Sequence, residues 1–156
     1  MIDNAAFARL VDIVEGAVPS TKAKGMPAKF KHDPRGQTGE GTGSRRFWFR
    51  TLAGAAVAPA ALAVNRLDLD RELVMEYQRG GAADADALDA IIVEDYRAVA
   101  AALADGRNWQ ASTSGLLYVG SRSDQPAFRL FEFSIDDVDG VRRLRVRVPL
   151  QIKVLP

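Results

Sequence analysis

The chain has no cysteine, a single histidine, and almost no excess charge of either sign, with a formal net charge of +1 over 156 residues. Without thiols it forms neither disulfides nor thiolate metal sites, a usage that fits a reducing compartment. The lone imidazole, His32, has no second His or Cys to complete a metal set, so it reads as a solvated loop side chain. The apolar run Ala53 to Val64 is too short to span a bilayer and is interrupted by Pro59. Met1 is followed by Ile2, Asp3 and Asn4 with no basic leader, so neither a secretion signal nor a membrane anchor is expected. Neither a Gly-x-Ser-x-Gly elbow nor a Ser, His and Asp set supplies a nucleophile. The expectation is a protein that is not an enzyme and that takes no cofactor and no metal.

What is present is enough for one domain, 1–156, able to bury about two-thirds of the surface of its unfolded chain. The near-neutral total hides segregation. Lys22, Lys24, Lys29, Lys31, Arg35, Arg45 and Arg46 crowd an early segment, and Arg142, Arg143, Arg145 and Arg147 a late one. Between them Asp68, Asp70, Glu72, Glu76 and the carboxylates from Asp84 to Asp105 make the middle acidic. That distribution suits nucleic-acid contact and equally suits copies of one protein meeting basic edge to acidic edge.

Periodicity organises the chain around one long helix, Asp84 to Gly106. Leu88, Ile92, Tyr96, Val99 and Leu103 form its stripe, with Asp89, Glu94, Asp95 and Arg97 mostly off it. Asp84 or Asp86 is the expected cap and Gly106 the expected stop. A second helix, Asp3 to Gly16, aligns Phe7, Leu10, Val11 and Val14. From 20 to 44 periodicity vanishes among Gly, Lys, Thr and Pro, which predicts a long flexible basic loop that orders against a partner.

Strand chemistry begins at Arg46 to Thr51, and residues 53–66 read as an Ala-rich excursion. Leu67 to Tyr77 alternates an apolar face with an acidic one, and Arg71 breaks the apolar side. Leu116 to Val119, Phe128 to Ile135 and Val141 to Val148 complete the set, the last two joined through Asp139-Gly140, a strong hairpin signal. The predicted fold is α+β in the order α-β-β-α-β-β-β, a single mostly antiparallel sheet of about five strands packed by two helices.

Weak chemical signals have plainer readings. Gly36 to Gly43 is a faint likeness of a phosphate cradle, but it lacks a preceding strand, a Gly-Lys-Ser/Thr end and a following helix, so it reads as loop. Asp136, Asp137 and Asp139 lack the spacing of an EF-hand and read as a turn. The pairs Asp68 with Asp70 and Glu94 with Asp95 read as solvated carboxylates on a strand face and a helix flank. Of the aromatics behind the basic segment, Phe47 and Phe49 alternate as core, leaving at most Trp48 to stack on a base.

Taken in order, the segments Val-Glu-Gly-Ala-Val-Pro (14–19), Arg-Arg-Phe-Trp-Phe-Arg (45–50), Leu-Val-Met-Glu-Tyr (73–77) and Ala-Ile-Ile-Val-Glu-Asp-Tyr-Arg-Ala-Val-Ala-Ala-Ala-Leu (90–103), with the closing hairpin, resemble tail terminator proteins of long-tailed bacteriophages. The resemblance implies a structural virion protein of the tail or neck, assembled in the host cytoplasm, without catalytic residues. It implies a homo-oligomeric ring of about six copies that caps the tail tube, ends its polymerisation and meets a head-completion or connector protein. DNA would pass through the lumen without sequence-specific binding, and no membrane is involved.

Under that reading Lys22, Lys24, Lys29, Lys31, Arg35, Arg45 and Arg46 make contacts between subunits or rings. Arg143, Arg145 and Arg147 meet the acidic strand or the acidic helix of a neighbour, with Asp68, Asp70 and Glu72 among the contact residues. Reversing Arg145 and Arg147 to Glu would then abolish the ring and leave the monomer folded. The alternatives are another neck, connector or tail tube component, a nucleic-acid-binding domain using the basic loop, or a small-molecule enzyme of undetected type.

Overall fold

The computed structural model describes residues 4–19, 26–39, 43–56, 66–78, 85–109, 115–120 and 131–153. Two helices, α1 (Asn4–Gly16) and α2 (Ala85–Ala104), lie on one face of a six-stranded sheet. The strands are β1 (Lys31–His32), β2 (Arg46–Ala56), β3 (Arg66–Gln78), β4 (Leu116–Val119), β5 (Phe133–Val138) and β6 (Val141–Lys153). They run β1-β2-β3-β6, and β4 and β5 share the far side of β6. All pairings are antiparallel except β1 with β2. The α+β class and the mostly antiparallel sheet are as expected from the sequence.

Period two decides which residues reach the helices. Leu69, Leu73, Met75 and Tyr77 of β3 stand in register with Leu150, Val146, Leu144 and Arg142 of β6, and the apolar members meet Leu10 and Val14 of α1 and Ile92, Val99 and Leu103 of α2 in one core. Arg71 shares that parity. Its guanidinium lies 4.0 Å from the ring centroid of Phe7 and 5.4 Å from that of Phe49, so two aromatic faces take the place of a counter-ion, and burial lowers its pKa.

The hairpin between β5 and β6 closes through Asp139 and Gly140 at φ 52° and 79°, the two positive values that a I′ turn requires. The turn is tighter than the Asp136 to Gly140 span read from sequence, because Asp136 and Asp137 are already paired with Arg143 and Arg142 in the ladder.

Other expectations are corrected. Within the segment 20–44, residues 26–39 are built onto the sheet: β1 adds parallel to the start of β2, with the amides of Lys31 and Asp33 donating to the carbonyls of Arg45 and Phe47, and a 3-10 helix follows at Pro34–Thr38. Residues 20–25 and 40–42 lie outside the described residues. His32 is accordingly a half-buried strand residue, its ring 5.4 Å from that of Phe47.

The Ala-rich excursion does not begin at residue 53. Pairing with β3 carries β2 through Ala56 across a bulge at Leu52, while 57–65 lie outside the described residues. Helix α2 stops at Ala104, before Gly106. Asp105 instead caps a second 3-10 helix, Gly106–Asn108, by accepting from the Arg107 amide.

Candidate functional site

At the mouth of β2, Arg46 is the first strand residue and Arg45 the last of the turn before it, and their side chains go to opposite faces of the sheet. Arg45 turns inward. It donates through Nε and Nη2 to the two carboxylate oxygens of Asp95 on α2 at 2.8 and 3.0 Å, and through Nη1 to the Pro27 carbonyl at 2.8 Å. The Tyr77 hydroxyl donates to the same carboxylate at 2.8 Å, and burial together with the Asp95 charge raises the Tyr77 pKa well above its ordinary value. Arg45 is 1% exposed and Asp95 0%. The Arg45 backbone sits at φ 59°, a left-handed conformation held by its amide donating to the Glu76 carbonyl and by the bidentate pair.

Arg46 turns outward and is also buried, at 5% exposure. Its Nε donates to Glu76 at 2.7 Å and its Nη1 to Asp33 at 3.3 Å. Asp33 also accepts from Arg35, and that side-chain hydrogen bond is the main reason its pKa falls to about 2. These two arginines were read as contacts between subunits. The geometry corrects that: both guanidiniums are spent inside the chain, one on each face of the sheet.

The same correction applies to β6. Arg143 donates to Glu76, Arg145 to Glu72 and Asp136, and Arg147 pairs with Asp70 and Glu132, so the acidic strand that meets this basic face is the chain's own β3. Arg to Glu reversal at Arg145 and Arg147 would therefore break ion pairs within the chain before it tested any ring. Lys29, Lys31 and Arg35 remain at the surface, with Arg35 engaged by Asp33; Lys22 and Lys24 lie outside the described residues. Asp68 is half-buried, and its Oδ1 finds no hydrogen-bond partner among the described residues.

This outer face has a small apolar centre of its own. Trp48 and Val74, directly opposite in the β2–β3 ladder, are 4% and 1% exposed although they face away from the helices. Trp48 is covered by Gly36 of the first 3-10 helix and flanked by the guanidiniums of Arg46 and Arg143, 5.8 and 5.7 Å from its ring centroid. It is not free to stack on a base, in line with the reading of this segment as a buried strand.

A side chain at Gly36 would place its Cβ inside the contact distance of the six-membered ring of Trp48. Gly36→Ala is expected to cost about 1–3 kcal/mol of stability and to shift tryptophan emission to the red. Urea unfolding followed by fluorescence measures both.

Beside this apolar centre lies a cleft of about 370 Å³ lined by Trp48 and Val74, by Gly36, Gln37 and Gly39 of the 3-10 segment, and by Arg50 of β2 and Arg143 and Arg145 of β6. No three His, Asp or Glu side chains converge to hold a metal ion among the described residues. No helix among them is long and apolar enough to cross a membrane. The fold and site define a two-layer α+β domain with an ion-laddered open sheet face. Neither the models of known protein families nor the curated proteins give a match to the chain.

Proposed function

We propose that this chain is a structural virion subunit of the tail-terminator type, forming a ring that caps a tail tube and joins it to the head or connector. The sequence resemblance supports this reading, and the observation that carries it is the open edge of β2. Beyond the two residues paired with β1 and the Phe49 carbonyl, which accepts from Gln37 at 2.6 Å, this edge has no partner strand among the described residues, and Leu52 at its bulge is 45% exposed. An unpaired edge with an exposed apolar side chain is a template for pairing with another chain. Repeated head to tail, such a heterologous contact closes into a ring when the rotation permits.

The interface thereby moves from the β6 arginines, which are engaged at home, to the β2 edge. The finer statements of copy number, tube and connector partners and DNA in the lumen belong to the same proposal. The nucleic-acid-binding alternative has less support, because Arg45, Arg46 and Trp48 are buried.

Light scattering of the purified protein over a concentration and salt series, followed by negative-stain images, tests the reading. A closed ring of about six subunits, formed alone or on addition of tube protein, is the expected result. A monomer under every condition, tube protein included, would overturn it.

A further inference from the structure

The arginines around the outer cleft are not fully used by their ion pairs. Arg50 donates to Glu72 through Nε, and its Nη2 lies 2.8 Å from the same oxygen. Arg143 donates to Glu76 through Nε and Nη2. Arg145 uses Nε for Asp136 and Nη1 for Glu72. One terminal amino group of each guanidinium, Nη1 of Arg50, Nη1 of Arg143 and Nη2 of Arg145, is left without a protein acceptor among the described residues. All three side chains line one cleft.

We propose that this cleft binds a tetrahedral oxyanion, the phosphoryl group of a small phosphate ester or inorganic phosphate itself. Three donors approach from two strands, Arg50 on β2 and Arg143 and Arg145 on β6, across the strand that carries Val74. A carboxylate offers two coplanar oxygens that one guanidinium fork can satisfy. A phosphoryl group offers three oxygens in three directions, which suits donors supplied by separate side chains lining one cleft.

The carboxylates of Glu72 and Glu76 already hold these arginines in place, so the guanidiniums are ordered before any ligand arrives and the local charge stays nearly balanced. Balanced charge gives no long-range field for a nucleic-acid backbone, whereas a volume of about 370 Å³ suits one small molecule. The Gly36 and Gly39 lining belongs to the glycine-rich stretch whose likeness to a phosphate cradle was faint in sequence. Here glycine lets the 3-10 helix sit down on Trp48 and bound the cleft. The site is independent of ring formation, since all its residues come from one chain.

Calorimetric titration of the full chain with inorganic phosphate, and separately with glycerol phosphate, at constant ionic strength is the test. Saturable binding of one phosphate per chain is expected, weakened at least roughly tenfold in Arg50→Gln and in Arg145→Gln, as the loss of a charge-assisted hydrogen bond predicts. Arg50→Lys, which keeps the charge without the fork, should weaken it too while leaving the circular dichroism spectrum unchanged. Binding of the ester as tightly as the free anion identifies a phosphorylated small molecule as ligand; binding of inorganic phosphate alone identifies the free anion. Absence of saturation at millimolar phosphate, or folded variants that bind as well as the parent, would overturn the proposal, whatever the oligomeric state proves to be.

Discussion

Asp95→Ala is expected to lower the free energy of unfolding by about 3–5 kcal/mol, the penalty for removing one partner of a buried ion pair. The carboxylate takes both prongs of Arg45 and the Tyr77 hydroxyl, and the three groups are all but sealed from water. Its removal strands a guanidinium that cannot shed its proton and leaves the Tyr77 phenol with only the weak acceptor Met75 Sδ. It also releases the anchor that holds Arg45 at positive φ, just where β2 begins.

Against a typical domain stability of about 5–15 kcal/mol, a loss of that size takes a large share of the whole. Urea denaturation followed by circular dichroism measures it, and a change below about 1 kcal/mol would show that the cluster does not hold the fold. Replacing both partners with apolar residues, Arg45→Met with Asp95→Leu, should recover much of the loss, because no charge is then left buried alone.

Glu76→Ala is the second large effect, about 3 kcal/mol by the same reasoning applied on the opposite face. Glu76 is 2% exposed and accepts from Arg46 on β2 and Arg143 on β6, so one carboxylate ties three adjacent strands. Those two guanidiniums are also the ones that flank Trp48. The substitution should therefore change tryptophan emission as well as stability, and Glu76→Gln, which keeps the shape and one acceptor oxygen, should cost less than the alanine. Unaltered emission with unaltered unfolding would mean that Arg46 and Arg143 do not depend on Glu76 for their positions.

These two carboxylates show where sequence reading reaches and where it stops. Glu76 was correctly assigned to the polar parity of β3, and the basic parity of β6 was equally plain. That the two faces lie side by side in one chain depends on β3 pairing with β6, which no local pattern encodes. Asp95 is three residues from Ile92 and four from Val99, positions that place it on the apolar stripe of α2. Its charge argued against burial, and its partner is 50 residues away. The signal that could have found it was spacing taken at face value.

The helices and the β3, β4 and β6 strands were legible because period and apolar character agreed over several residues. β1 was not, since two residues carry no period and its existence rests on docking against β2. The continuation of β2 into its alanines was hidden for a related reason: alanine has little intrinsic preference for strands, and the pairing with β3 overrides it. The cleft combined both difficulties. Its arginines were visible as basic residues, but Arg50, Arg143 and Arg145 line one cleft only once β2, β3 and β6 lie together.

The position of β6 also bears on how the protein is made. This late strand occupies the middle of the sheet, with β3 on one side and β4 and β5 on the other, and its ion pairs reach back as far as 77 residues. On the ribosome, β2 and β3 can form their hairpin early, yet β3 then waits with an apolar face and an unsatisfied edge until residues 141–153 have been synthesised. Nascent chains stalled before that point would present this edge to one another, so efficient production depends on translation running through β6 without pause.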